Sequence, residues 1–171
     1  MIRKSENCIT IGNSEINLVF HSGNKFHFSD MAIKKDSLLT SAGELDTPWK
    51  ISFLSPEGST PEYDANFAEY NGVEIIRDEE EYSEVSFSWN IRATYAAECR
   101  VEMRVILPAN SNISFWKIRV ILPQAWKISG IEFPIITNIR KTNNTKALLA
   151  SGWGIEYHLA PGFFRKAHYP S

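Results

Sequence analysis

The strongest constraint on this chain lies between Glu84 and Leu122, where three successive segments alternate apolar and polar residues. In the first, Val85, Phe87, Trp89 and Ile91 alternate with Glu84, Ser86, Ser88, Asn90 and Arg92. In the second, Cys99, Val101, Met103, Val105 and Leu107 share a face opposite Glu98, Arg100, Glu102 and Arg104. In the third, Ser114 to Leu122, the residues Trp116, Ile118, Val120 and Leu122 oppose Phe115, Lys117 and Arg119. A period of two sends alternate side chains to opposite sides of an extended strand, so each segment has one face to bury and one to wet. Three such segments in a row predict adjacent antiparallel strands. The mixed-sign charges on their outer faces suit cross-strand pairing.

The rest of the chain conforms. Ile9 to Phe20 reads as a hairpin around Gly12, Asn13 and Ser14, and Lys25 to Ile33 as a strand with Phe26 and Phe28 on one face and His27 between them. Trp49 to Phe53, Phe67 to Arg77, Ile128 to Arg140 and Ala147 to Ala150 are further strand candidates. Pro134 interrupts the third of these; a proline lacks the ladder donor, so it predicts an edge, a bulge or a bend. Lys34 to Pro48 and Ser55 to Asp64 read as loops, Asp78 to Glu81 as a solvated turn, and the pattern fades from Ile155 onward. Helical periodicity is not evident anywhere. At least nine strands separated by turns predict an all-β antiparallel β-sandwich with little helix, forming a single domain over residues 1–171. A chain of 171 residues buries about 70% of its unfolded surface, enough to fold without a metal or a disulfide.

Composition narrows the partners. Eighteen basic and twenty acidic residues leave a net charge of -2, so no basic field for nucleic acid is expected. No apolar run is long enough to predict a membrane helix. The opening MIRKSENCITIG lacks the apolar segment of a signal peptide. As written, the chain reads as cytoplasmic, or as periplasmic or secreted if a leader has been removed. Cys99 sits at an inward strand position and reads as a small buried hydrophobe. The four histidines and two cysteines show no ligand spacing, and no phosphate loop, dinucleotide fingerprint or nucleophile elbow is present, so no metal and no cofactor are expected.

One stretch carries a family resemblance. The run through Gly130-Ile131-Glu132-Phe133-Pro134 to an Asn-rich turn, then Ala147 to Ala150 and a Gly-containing loop, resembles the N-terminal β-supersandwich of large bacterial glycoside hydrolases, a galactose-mutarotase-like domain that precedes a catalytic barrel. Tyr169-Pro170-Ser171 is similar to the segment that leads onward in such proteins. The resemblance covers roughly Ile9 to Ser171 and is sharper after Glu98. It implies a non-catalytic module, an excised N-terminal part of a longer protein, whose partners are the C-terminal catalytic domain of the same polypeptide, whose sugar cleft it helps shape, and carbohydrate. It also implies that the catalytic carboxylates belong to that later domain. A free-standing carbohydrate-binding module and a mutarotase-like sugar epimerase are the alternatives. The histidines His21, His27, His158 and His168 do not fall in the mutarotase pattern.

Five residues stand out as candidates for contact with sugar or with another domain. Glu132 is an acid beside a strand proline; its plainer reading is structural. Trp126 follows a Pro-Gln-Ala loop, and Trp153 lies between Gly152 and Gly154 with Tyr157 and His158 behind it. Aromatic rings with polar flanks match the apolar face and hydroxyl rim of a pyranose. The plainer reading of Trp153 is a plug at one end of the core. Trp49, Trp89 and Trp116 lie on apolar strand faces and read as core.

Overall fold

The alternating segments pair with one another, β9 and β10 end to end. In the computed structural model, which describes residues 1–23, 25–34, 36–40, 46–92, 98–140, 146–149 and 155–158, strand β9 (Tyr82–Arg92) lies antiparallel between β8 (Glu69–Asp78) and β10 (Glu98–Pro108), and β11 (Phe115–Ile121) closes the other side of β10. The register sets Val85 opposite Val105, Phe87 opposite Met103 and Trp89 opposite Val101, so the apolar faces coincide. Bulges on β8 at Tyr70/Gly72 and Ile75/Arg77 interrupt its pairing with β9. Gly72, at φ 117°, adopts a backbone that a side chain would strain.

A second sheet is a meander in chain order: β1 (Ile2–Lys4), β2 (Cys8–Gly12), β3 (Ile16–Ser22), β4 (Phe26–Ile33) and β5 (Asp36–Ser37). A third sheet has the order β12-β6-β7, from β6 (Lys50–Leu54), β7 (Glu62–Asp64) and β12 (Lys127–Glu132). All these pairings are antiparallel, and the described residues contain no helix. The three sheets pack as a sandwich, as the alternation requires. They belong to a compact unit, Met1–Ile139. A second unit, Arg140–Ser171, contains the antiparallel hairpin β13 (Lys146–Leu149) and β14 (Ile155–His158).

The core of the first unit is aromatic. Phe20 of β3 touches Phe28 of β4 at 5.0 Å, Phe87 of β9 at 4.9 Å and Trp116 of β11 at 5.6 Å between ring centroids. Phe26 meets Phe87 and Trp89 edge-on, at 4.8 and 5.2 Å. Trp49, just before β6, stands edge-on to Trp89 at 5.7 Å, which ties in the third sheet. Trp49 and Trp89 are fully buried. Trp116, expected in the core, is only partly buried, because β11 is an edge strand.

The strand expected over Ile128 to Arg140 ends at Glu132. Phe133-Pro134 is a cis peptide, and beyond it the Ile135 N–H donates to the Pro48 carbonyl at 2.9 Å, while Ile139 forms an isolated bridge with Leu39. The loop expected over Ser55 to Asp64 closes in strand β7. The segment from Ile155, expected to be irregular, forms β14. β1 and β5 were not apparent from alternation because each is too short to show a period.

Asn13 joins the first hairpin to a distant turn. Its Oδ1 accepts the N–H groups of Glu15 at 2.8 Å and Ile16 at 2.9 Å, and its Nδ2 donates to the carbonyls of Pro108 at 2.8 Å and Ser111 at 2.7 Å. Both sides of the amide are used. Asn13→Ala therefore strands donors and acceptors at both turns, and urea denaturation should show a loss of about 2 kcal/mol with an unchanged m-value.

Candidate functional site

Glu132, the acid in the motif, ends β12 on the outer face of the third sheet. Its cross-strand partner is Lys50, whose partner on the other side is Asp64 of β7. Glu132, Lys50 and Asp64 thus form a row across three strands. The Lys50 Nζ reaches Glu62 Oε1 at 2.6 Å, and the Ser52 hydroxyl donates to Glu62 Oε2 at 3.3 Å. The hydrogen bond with Glu62 holds the Lys50 ammonium above the usual lysine range; desolvation works against it, and the negative field of Glu62, Glu132 and Asp64 adds to it. One lysine thereby serves three carboxylates. Glu132 is exposed, so bulk water shares it. An open sheet face does not shield a reacting bond from solvent. Asp64, the last residue of β7, has a local duty: its Oδ1 accepts the Asn66 N–H at 2.7 Å and the Phe67 N–H at 3.3 Å.

Trp126 sits in the turn between β11 and β12. Ala125 before it takes a left-handed backbone, φ 76°, which turns the indole back toward the core. The ring stands edge-on to Phe53 at 6.3 Å. With Phe53, Tyr63, Ile91 and Cys99 it borders an apolar crevice of about 10 Å3. That is room for about one water, far below the 300–1,000 Å3 typical of a ligand pocket. In this place Trp126 acts as a lid on the core. Burial pushes the neighbouring Cys99 thiol up to about 11. Cys99 and the half-exposed Cys8 are both free thiols.

The remaining candidates lie in the second unit. In the β13–β14 hairpin Tyr157 is the backbone partner of Ala147, and His158 of Lys146. Their side chains, and Trp153 altogether, lie outside the described residues. Trp126 and Glu132 therefore bracket β12, one just before it and one at its end, and Glu132 joins a charged row centred on Lys50.

Two features escaped the sequence reading. The role of Lys50 needed the pairing of β6 with both neighbours, which alternation does not reveal. His21 and His27 stack face to face at 4.7 Å with an interplanar angle of 8°, because they are cross-strand partners on β3 and β4. In the sequence they stand three residues either side of Asn24, and that spacing was the available signal. Among the described residues no group of three His, Cys, Asp or Glu side chains could hold a metal ion. A wider depression of about 450 Å3 lies over the outer face of β1 to β3, lined by Arg3, Thr10, Asn13, Ser14 and Asn17, and offers polar groups without an aromatic ring. Inside the core, the Trp49 and Trp89 indole nitrogens and the Tyr70 hydroxyl have no hydrogen-bond partner, and burial raises the Tyr70 hydroxyl above the ordinary tyrosine range.

Comparison with known proteins adds one relative. Over 169 residues, 98% of this chain, the sequence is 28% identical to a protein of Bacteroides thetaiotaomicron described as "Putative glycoside hydrolase". The matched stretch is 25% of that protein, so the chain spans about a quarter of the relative's length. No family model matches the chain, and no solved structure matches it.

The buried Cys99 gives a pH signature. Its native thiol keeps the proton to about pH 11, whereas the unfolded thiol ionises near the ordinary value of 9.0. The native state then binds more protons than the unfolded state, so stability is intact below pH 9 and declines as pH rises through 11. Denaturant titrations at pH 8 and pH 10.5 should show a loss that is smaller by about 1–2 kcal/mol in Cys99→Ala. An equal loss in both proteins would show that this thiol is not responsible.

Proposed function

We propose that this chain is the non-catalytic N-terminal β-sandwich module of a glycoside hydrolase, of the galactose-mutarotase-like supersandwich type, and that it packs on a following catalytic domain and helps shape its sugar cleft. The observation that carries this reading is the lopsided match: nearly all of this chain aligns with a quarter of the Bacteroides relative. The sandwich itself is consistent with such a module. The candidate residues support an architectural role better than a chemical one. Glu132 shares an ion-paired sheet face with Lys50, and Trp126 closes a crevice too small for a sugar ring. Glycosidic cleavage needs two carboxyl groups roughly 5–10 Å apart across the scissile bond, in a cleft that holds the sugar. On this reading that pair belongs to the later domain.

The test is expression of the complete reading frame beside residues 1–171 alone, assayed against a panel of aryl glycosides and soluble polysaccharides. The expected outcome is hydrolysis of at least one substrate by the complete product and none by the shorter chain. Hydrolysis or sugar epimerisation by residues 1–171 would overturn the non-catalytic assignment. Retention of residues 1–171 on a polysaccharide gel, lost in Trp153→Ala, would move the chain to the class of free-standing binding modules.

A further inference from the structure

We propose that Asn71-Gly72 on β8 is a site of self-catalysed modification, at which the side-chain amide of Asn71 is exchanged for a carboxylate through a cyclic imide. The site owes nothing to a partner domain, because both reacting groups belong to adjacent residues of this chain. On losing its proton, the Gly72 nitrogen attacks Asn71 Cγ. The new C–N bond closes a ring, the Cγ–Nδ2 bond breaks, and Nδ2 leaves as ammonia with the proton that Gly72 gave up. Water then opens the imide. Attack at Cγ leaves an ordinary aspartate. Attack at the main-chain carbonyl carbon of residue 71 leaves an isoaspartate, whose backbone runs through Cβ and Cγ. Water is the sole co-reactant, and nothing is oxidised or reduced.

Asn71 is the only asparagine in the sequence that is followed by glycine. A side chain on residue 72 would crowd the approach of its nitrogen, and glycine has none. Asn71 is exposed, and among the described residues its amide has no hydrogen-bond partner. The strand bulges at this point. Tyr70 pairs with Trp89 and Gly72 with Ser88, so Asn71 is the extra residue and has no cross-strand partner. Gly72 takes φ 117°, and no described atom lies within 4 Å of the place where its side chain would stand. The ladder does not hold the bulged residue flat, which leaves its side chain free to swing back toward the next nitrogen. Asn13 is the contrast. It too precedes a small residue, Ser14, but its amide oxygen is held by Glu15 and Ile16 and its amide nitrogen by Pro108 and Ser111. Its Cγ cannot turn toward the Ser14 nitrogen without breaking those bonds.

The product alters the strand that carries it. Either opening adds a negative charge between Glu69 and Glu74. An isoaspartate also lengthens the backbone by one atom beside Tyr70, whose ring packs against Phe26 at 5.8 Å and Trp89 at 5.5 Å. The extra atom falls where the register is already shifted, so the pairing of Glu69 and Tyr70 with β9 takes the strain. The class of enzyme suited to this product is a carboxyl methyltransferase that esterifies the isoaspartate and lets the imide form again.

The test is to age the purified folded protein at mildly alkaline pH, where the Gly72 nitrogen loses its proton more readily, and to map the peptides by mass spectrometry. A synthetic peptide of residues 66–76 is aged beside it. The expected result is that residue 71 exchanges its amide for a carboxyl at least about tenfold faster than Asn13 in the same digest, as an unhindered intramolecular attack predicts. Part of the product should accept a methyl group from an isoaspartyl methyltransferase. Asn71→Gln, whose ring must close with one more atom, should abolish the change at this position and leave the other asparagines as they were. Retention of Asn71 in the folded protein, or conversion no faster than at Asn13, would overturn the inference, and conversion of the peptide under the same conditions would then locate the protection in the fold. Conversion to aspartate alone, with no isoaspartate, would show direct hydrolysis of the amide and overturn the cyclic route.

Discussion

The contact between Phe20 and Phe87, 4.9 Å between centroids, joins the sheet built from the first forty residues to the sheet built around β9. Around it Phe26, Phe28, Trp89, Trp116 and Trp49 form a continuous set of stacked, tilted and edge-on rings that reaches all three sheets. Large rings bury much area each, and their offset geometries add about 0.5–1.5 kcal/mol per pair beyond that burial. The chain folds as a sandwich because these rings share a side, and they share a side because each occupies an inward position of an alternating strand. The indole nitrogens of Trp49 and Trp89 lose their hydrogen bonds as the consequence of being placed so deep.

The outer faces obey a different rule. Glu102 sits between Arg100 at 3.1 Å and Arg119 at 3.8 Å, Arg104 meets Glu84 at 3.3 Å, and Lys50 meets Glu62 at 2.6 Å. Pairs of this kind contribute little to stability when solvent reaches them. They discriminate among registers, since a slip of one residue would carry every charge inward and every ring outward. Glu132 is best understood in that company: it extends a charged row across the third sheet, where a catalytic acid would need enclosure.

The alternation of β9, β10 and β11 was legible because period two leaves a long, unambiguous trace. Cys99 was legible for the same reason. The end of β12 was not, since Ile135 and Ile136 look like strand residues and only the chain's course after Pro134 takes them elsewhere. The duty of Trp126 was also hidden. A tryptophan after a proline loop can project or fold back, and the left-handed Ala125 that decides between them leaves no mark in the residue types. Lys50 stood in a strand with one neighbour to its right and one to its left that are 14 and 82 residues later; pairings of that range are set by the whole fold rather than by local pattern.

Asn13 carries a consequence in time. Its carbonyl oxygen is satisfied within its own turn, but its amino group bonds to Pro108 and Ser111, separated from it by 95 and 98 residues. At about 5–20 residues per second of synthesis, those partners emerge on the order of 5–20 seconds after the hairpin does. Through that interval the first hairpin has its turn bonds and lacks its anchor, and Ile9, Ile11, Leu18 and Phe20 have no opposing sheet to cover them. The ribosome, rather than diffusion, then sets when the two halves of the sandwich can first meet.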